Sequence, residues 1–160
     1  IIKSMADSIA HRGPDAEGFF LDRKIAFGHR RLSIIDIEGG VQPFYDETKE
    51  YVLIYNGESY NFKELRDELK KLGYSFNTNS DTEVILKLYI EFKEDAFLKI
   101  NGMFALAIYD KRNDKIILAR DRHGVKPLYY AIINENLVFA SEIKAILEYP
   151  EYRKELEYNA

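Results

Sequence analysis

The sequence predicts an α+β fold in which antiparallel sheets pack between helices. Short apolar stretches at 104–109, 116–119, 128–133 and 137–140 read as strands joined by polar turns at 110–115 and 134–136. Hairpin turns suit antiparallel pairing, because parallel pairing needs a crossover of a dozen residues or more. Helical periodicity is confined to a few segments and does not alternate regularly with the strands. No repeat, low-complexity tract or linker divides the 160 residues, so they are expected to form one domain, large enough to bury roughly two-thirds of its unfolded surface.

Taken in order, Ile2, Met5, Ala6 and Ile9 recur at helical spacing. This helix is expected to run to about His11 and to stop before the breaker pair Gly13-Pro14. Because the sequence opens with Ile1 inside an amphipathic helix, the natural amino terminus is expected to lie upstream. Strands are expected at 19–21 and 25–35, around a turn at Asp22-Arg23. Arg30 and Arg31 on the second strand would face opposite ways, so only one can serve a given pocket. Gly39, Gly40 and Pro43 mark a loop.

Residues 51–60 read as a Val, Ile, Leu and Tyr strand that breaks at Asn56-Gly57 and passes through Glu58 and Tyr60 into a helix near Asn61. Two readings of the break stand side by side. Asn-Gly is the commonest type I′ hairpin pair. The same residues could form an oxyanion hole, with an Asn side-chain amide and a Gly N–H aimed at one developing negative charge. The helix that follows has Asn61 three residues before Glu64, an apolar face of Phe62, Leu65, Leu69 and Leu72, and Gly73 as its stop. A short strand is expected at 74–76, then a Ser80-x-x-Glu83 capping box for a helix with Val84, Ile85, Leu88 and Phe92 inward. A closing helix is expected near Ser141.

Composition narrows the function classes. Net charge is −4 with no basic run, which argues against nucleic acid and anionic membrane surfaces as partners. No apolar run approaches the ~18 residues of a membrane span and no signal peptide is visible, so a cytoplasmic protein is expected. There is no cysteine, hence no disulfide, thiolate metal site or cysteine nucleophile within these residues. His11, His29 and His123 lie far apart without metal-ligand spacing, so no zinc site is expected. No Gly-rich phosphate loop follows a strand, so no cofactor is expected to bind here.

The polar residues at element ends carry the chemistry that remains. One Arg and two carboxylates (Arg31, Glu58 and Asp81) are the complement of an α-amino acid: guanidinium for the carboxylate, carboxylates for the ammonium. Each also has a plain reading, with Asp81 as a helix-start residue, Glu58 as a solvated turn residue and Arg31 as a surface cation. Residues 120–124 read as a polar elbow held by a local Arg–Asp network.

Eight motifs in order, from His11-Arg12-Gly13-Pro14-Asp15 through Gly28-His29-Arg30-Arg31-Leu32-Ser33-Ile34-Ile35-Asp36, Asn56-Gly57-Glu58-Ser59-Tyr60-Asn61 and Ser80-Asp81-Thr82-Glu83, resemble one family. The later ones are Asn101-Gly102-Met103-Phe104, Ala119-Arg120-Asp121, Gly124-Val125-Lys126-Pro127-Leu128-Tyr129-Tyr130 and Ser141-Glu142-Ile143-Lys144. The family is the glutamine-hydrolysing asparagine synthases, in their amino-terminal class II glutamine amidotransferase half. The resemblance implies an N-terminal nucleophile hydrolase fold, a four-layer αββα sandwich of two antiparallel sheets, here truncated at both ends. It implies that an amino-terminal cysteine attacks glutamine with its own α-amino group as base. Asn56 and Gly57 would form the oxyanion hole. Arg31 would hold the α-carboxylate, Glu58 and Asp81 the α-ammonium, and Ile35 would offer backbone contact. The ammonia would pass to a carboxyl-terminal synthetase domain using ATP and Mg2+ to amidate aspartate, in a parent that could be a homodimer.

Against the family pattern, the cysteine and the strand that carries it are missing, on the order of 15–20 residues before Ile1 by typical element lengths. Ser59 stands where the family has an apolar residue, and His123 where Phe or Leu is common. The chain also stops before any synthetase domain. The expectation is therefore the glutaminase half of an asparagine synthase, inactive as this fragment. The alternatives are an amidotransferase with another acceptor, or a non-catalytic amino-acid-binding domain.

Overall fold

The computed structural model describes residues 1–32 and 41–152. In chain order the elements are α1 (Ile2–Ser8), β1 (Ala16–Leu21), β2 (Ala26–Arg31), β3 (Phe44–Tyr45), β4 (Tyr51–Ser59), α2 (Phe62–Lys71), α3 (Asp81–Phe92), α4 (Ala96–Lys99), β5 (Gly102–Asp110), β6 (Lys115–Arg120), β7 (Tyr129–Ile133), β8 (Asn136–Ala140) and α5 (Ile143–Ile146). A four-stranded antiparallel sheet runs β3-β4-β5-β6, while β1-β2 and β7-β8 form separate antiparallel hairpins.

These elements stack in four layers. On one face of the sheet, Tyr51, Leu53 and Tyr55 pack with Leu65 and Leu69 of α2 and with Val84, Ile85 and Leu88 of α3. On the other face, Val52 and Ala107 meet Phe20 and Phe27 of the β1-β2 hairpin, with Phe139 of β8 alongside. Met5 of α1, Val138 of β8, and Ala145 and Ile146 of α5 close the far side. The order is helices, sheet, hairpins, helices, as in an N-terminal nucleophile hydrolase-like α+β fold. Strand β4 has both faces covered, which is why its first five residues form a continuous apolar run instead of alternating. Each fully buried Val, Leu or Tyr there contributes roughly 1.5–3 kcal/mol.

The structure departs from the expected elements at several places. Strand β4 does not break at Asn56-Gly57, and its pairing with β5 continues through Asn56↔Ala105, Gly57↔Phe104, Glu58↔Met103 and Ser59↔Gly102. A hairpin turn is therefore excluded. Gly57 is required for a different reason: a Cβ there would lie 2.3 Å from the Met103 carbonyl oxygen and 2.8 Å from Phe104 Cα, so the two strands pinch together at this point. Residues 74–76 are not a strand. Asn61 precedes α2 without capping it; its Oδ1 accepts instead from Asn101 N–H at 2.9 Å, and its Nδ2 donates to the Lys99 carbonyl at 3.0 Å. Strand β2 ends at Arg31, and the remainder of the expected strand, with Ile35, lies outside the described residues.

Helix α3 is buried all round from Thr82 to Tyr89, so the two charged residues of that stretch, Glu83 and Lys87, must find partners. Ser80 caps the helix by accepting from Thr82 N–H at 3.1 Å. Glu83 does not close the expected capping box. It turns to the preceding loop, where Asn77 N–H (2.9 Å) and Thr78 N–H (2.7 Å) donate to it, and it pairs with Lys87 at 2.9 Å. Lys87 also reaches Glu47 at 2.8 Å. Burial pushes the Glu83 carboxyl up, but these donors outweigh it and hold its pKa below the ordinary value. Removing one partner of so buried a pair leaves the other charge unpaired, at a cost of about 3–5 kcal/mol. Lys87→Ala is accordingly expected to lower the unfolding free energy by about 3 kcal/mol in urea denaturation, and Lys87→Met combined with Glu83→Leu to recover most of that loss.

Candidate functional site

The hydrogen-bond register of β4 determines what its far end offers. The Glu50 carbonyl accepts from Lys111 N–H at 2.9 Å, and Tyr60 N–H donates to the Asn101 carbonyl at 2.8 Å, so the even-numbered backbone groups address β5. Odd-numbered groups address the opposite edge. There β3 is short, its register spanning only Val52 and Leu53, and side chains take over the pairing. Tyr51 N–H donates to Asp46 Oδ1 at 2.8 Å, Tyr55 N–H to Gln42 Oε1 at 2.6 Å, and Ser59 N–H to Asp81 Oδ2 at 3.0 Å. Gly57 is the odd-numbered position left over. Among the described residues none accepts from its N–H.

Beside this edge lies a cavity of about 400 Å³ lined by Arg31, Asn56, Gly57, Glu58 and Asp81. Five of the six residues singled out from the sequence thus meet in one place, the sixth being Ile35 outside the described residues. Tyr55 belongs to the helix-facing core, so its neighbour Asn56 presents the opposite face, toward the hairpin layer. Phe27, in that layer's core, shares a face of β2 with His29 and Arg31. Both arginines line the cavity, against the expectation that only one would, but their roles differ. Arg30 pairs with Asp7 and, at 2.9 Å, with Glu17, while the Arg31 carbonyl is held by Asp15 N–H at 3.0 Å and the residue lines the cavity.

Because Ser80 supplies the helix cap, Asp81 is available for other work. Its Oδ2 accepts from Tyr55 Oη and from Ser59 N–H, each at 3.0 Å, which leaves Oδ1 without a protein donor among the described residues. Burial, reinforced by the Asp81 charge, pushes the Tyr55 phenol pKa far up, so it stays a donor at any ordinary pH. Arg66 fixes the loop before α3 by donating to the Thr78 (2.7 Å) and Ser80 (3.1 Å) carbonyls while stacking over Phe76.

Gln42, Tyr55, Ser59, His29 and Lys126 also line the cavity and were not marked as site residues by the sequence. The odd-even parity of β4 could have flagged Tyr55; nothing local flags Gln42. Burial lowers the His29 pKa to about 4, against a hydrogen bond to the Tyr55 backbone, so this imidazole is neutral at neutral pH. Lys126 reaches the cavity wall on a loop organised by Asp121. That carboxylate accepts from the N–H groups of Phe104 (3.1 Å), His123 (3.1 Å), Val125 (2.9 Å) and Lys126 (3.0 Å). Arg120 holds the same loop separately, donating to the carbonyls of Gly124 at 2.5 Å and Lys126 at 2.9 Å. The elbow is thus tied by side-chain bonds to its backbone, and not by the expected Arg–Asp network. Among the described residues no group of three or more His, Asp or Glu gathers as a metal site would require.

A family model described as a glutamine amidotransferase domain matches residues 1–160. The chain belongs to this family. Asparagine synthetase [glutamine-hydrolyzing] 1 of Bacillus subtilis (strain 168) is 52% identical to this amidotransferase domain over 92% of the chain and 23% of its own length. Asparagine synthetase B [glutamine-hydrolyzing] of Escherichia coli (strain K12) is 42% identical over 86% of the chain and 25% of its own length. The domain therefore spans about a quarter of these relatives. Among solved structures, the glutamine phosphoribosylpyrophosphate amidotransferase of B. subtilis, complexed with ADP and GMP, superposes with a TM-score of 0.63 at 29% identity, over 76% of this chain and 28% of that one.

The Lys126 backbone bond, with those of Val125, Phe104 and His123, overcomes burial and lowers the Asp121 pKa from 3.8 to about 2. A depressed folded-state pKa gives stability that is present above the unfolded value and lost as pH falls through the folded one. The stability difference between the amidotransferase domain and its Asp121→Asn variant is expected to be constant above pH 5 or so and to shrink between about pH 4 and pH 2. Urea midpoints measured across that range check it.

Proposed function

We propose that the domain binds glutamine in the cavity at the end of β4 and supplies the oxyanion hole for its hydrolysis to glutamate and ammonia. The observation that carries this is the Gly57 N–H, placed by register on the cavity edge, next to the Asn56 side chain. Two such donors could converge on a carbonyl oxygen as it becomes negative. Arg31 binds the α-carboxylate, and Asp81 Oδ1 with Glu58 receives the α-ammonium, which orients the side-chain amide toward Asn56.

The nucleophile is a cysteine thiol on a segment outside these residues. A second cleft, lined by Gly28, Asn56, Ala105 and Ala140, lies alongside Asn56, where the thiol would have to approach. The thiol attacks the amide carbon, and a C–S bond forms while Asn56 and Gly57 hold the oxyanion. The cysteine's own α-amino group takes the thiol proton during attack; collapse then breaks the C–N bond, and that proton passes to the departing nitrogen, which leaves as ammonia. Water then cleaves the thioester to glutamate. The neutral His29 beside the cavity adds no charge that would compete with Arg31 for the carboxylate.

The similarity to glutamine-hydrolysing asparagine synthetases supports asparagine synthesis as the parent activity. In this proposal the ammonia passes to a synthetase domain that would use ATP and Mg2+ to amidate aspartate. The 160 residues alone are expected to release no ammonia from glutamine, since they hold no cysteine.

In the intact enzyme, Arg31→Ala and Asp81→Asn are expected to raise the KM for glutamine roughly 10-fold to 100-fold, because charged contacts to the amino-acid end exist in ground and transition states alike. Asn56→Ala is expected to lower kcat by about 10²–10³-fold with little change in KM. Steady-state glutaminase assays separate the two patterns. An Asn56→Ala enzyme with unchanged kcat would remove the basis of this proposal.

A further inference from the structure

Gln42 has a relation to β4 that its place in a loop does not suggest. Its carboxamide makes two hydrogen bonds to one residue: Tyr55 N–H donates to Oε1 at 2.6 Å, and Nε2 donates to the Tyr55 carbonyl at 2.8 Å. This is the exchange a neighbouring strand's peptide group makes in an antiparallel ladder. Strand β3 pairs Phe44 with Leu53, and Gln42 lies two residues earlier, so its side chain supplies the next rung, at Tyr55, that the backbone does not. The following odd-numbered position on the same edge is Gly57.

We infer that Gln42 is a positioning residue for the oxyanion hole, an inference that rests on the glutaminase reading above. Fixing the Tyr55 carbonyl fixes the peptide plane that leads into Asn56. The neighbouring peptide carries the Gly57 N–H, whose direction has to be set before any oxyanion forms. Without the rung, β4 would be held on this edge by β3 behind the site and by Asp81 on Ser59 beyond it. The segment between them, Ile54 to Glu58, would lose its backbone rung on this edge and keep its ladder with β5, the Tyr55 Oη bond to Asp81 and the His29 bond to the Tyr55 backbone. Gln42 is itself held from behind. A Cβ on Gly18 of β1 would lie 1.9 Å from the Gln42 carbonyl oxygen, so a glycine there lets the Gln42 backbone seat against the hairpin layer. The side chain has two polar ends and both are used, which is the signature of a placed amide and not of a solvated loop residue.

The test uses the intact glutamine-hydrolysing enzyme with Gln42→Met, which keeps length and removes both bonds, and Gln42→Glu, which keeps an acceptor for Tyr55 N–H but sets an oxygen against the Tyr55 carbonyl. Both are expected to lower glutaminase kcat by about 10-fold to 100-fold, the scale of a misplacement of ~1 Å, while KM for glutamine stays within about 2-fold. Hydrogen exchange of the peptide spanning 51–60, followed by mass spectrometry, is expected to quicken at Tyr55. A merely structural role would lower the melting temperature and leave the kcat of the folded fraction unchanged, and that result overturns the inference. So does a rise in KM at constant kcat. If Gln42→Met does not fold, Gln42→Glu decides on the same readings. Asn56→Ala is measured in parallel: normal kcat there sinks the glutaminase reading itself, whereas a slow Asn56→Ala beside a normal Gln42→Met sinks this inference alone.

Discussion

The antiparallel pairing of β4 with β5 is the constraint on which the rest depends. It runs without a break from Tyr51↔Asp110 to Ser59↔Gly102, and it carries the apolar core and the candidate site on one strand. The first half of β4 is buried on both faces, so its register is set by packing that a one-residue slip would reverse. Once that register is fixed, the far end has no freedom left. Asn56 must face the hairpin layer, and Gly57 must direct its N–H to the edge away from β5. The pinch at Gly57, where no Cβ fits against Met103 and Phe104, belongs to the same constraint.

Side chains, not strands, complete the exposed edge of this sheet. Asp46, Gln42 and Asp81 each accept one of the odd-numbered N–H groups of β4, and Asp121 collects four backbone donors where β6 leaves the sheet. A side chain that accepts a backbone N–H anchors the chain, whereas a further strand would have covered the cavity. Among the described residues the edge is thereby held along most of its length, with the Gly57 N–H left open. The same economy explains Asp81: Ser80 performs the helix cap, so the neighbouring carboxylate can bridge α3 to β4 with one oxygen and keep the other for a cation.

Much of this was legible in the sequence. Short strands joined by hairpin turns gave the α+β class, and the later strands fall within a residue or two of their expected positions. The residues bearing amino-acid-binding chemistry were legible too, because Arg31, Glu58 and Asp81 are charged groups at element ends and their chemical type does not depend on the fold. Asn56-Gly57 was legible as a pair, with its role left open between a turn and a donor set. What misled was local. Asn-Gly favours a turn as an isolated dipeptide and Asn61 and Glu64 have capping-box spacing, yet long-range partners decided otherwise; residues 74–76 have strand-like composition, but Tyr74 N–H turns back to the Leu69 carbonyl at the end of α2.

The sequence by itself determined which chemical groups are present and the periodicity of the segments that carry them, because those follow from side-chain type and nearest neighbours. Only the tertiary structure decided that β4 continues through Gly57, that Gln42 serves as a rung for Tyr55, and that Glu83 pairs with Lys87 and not with its own helix start. These outcomes have one physical reason. A backbone group or a buried charge takes whichever partner the packed layers bring within hydrogen-bond distance, and those partners lie 13 residues away for Gln42 and Tyr55, and 26 for Tyr55 and Asp81.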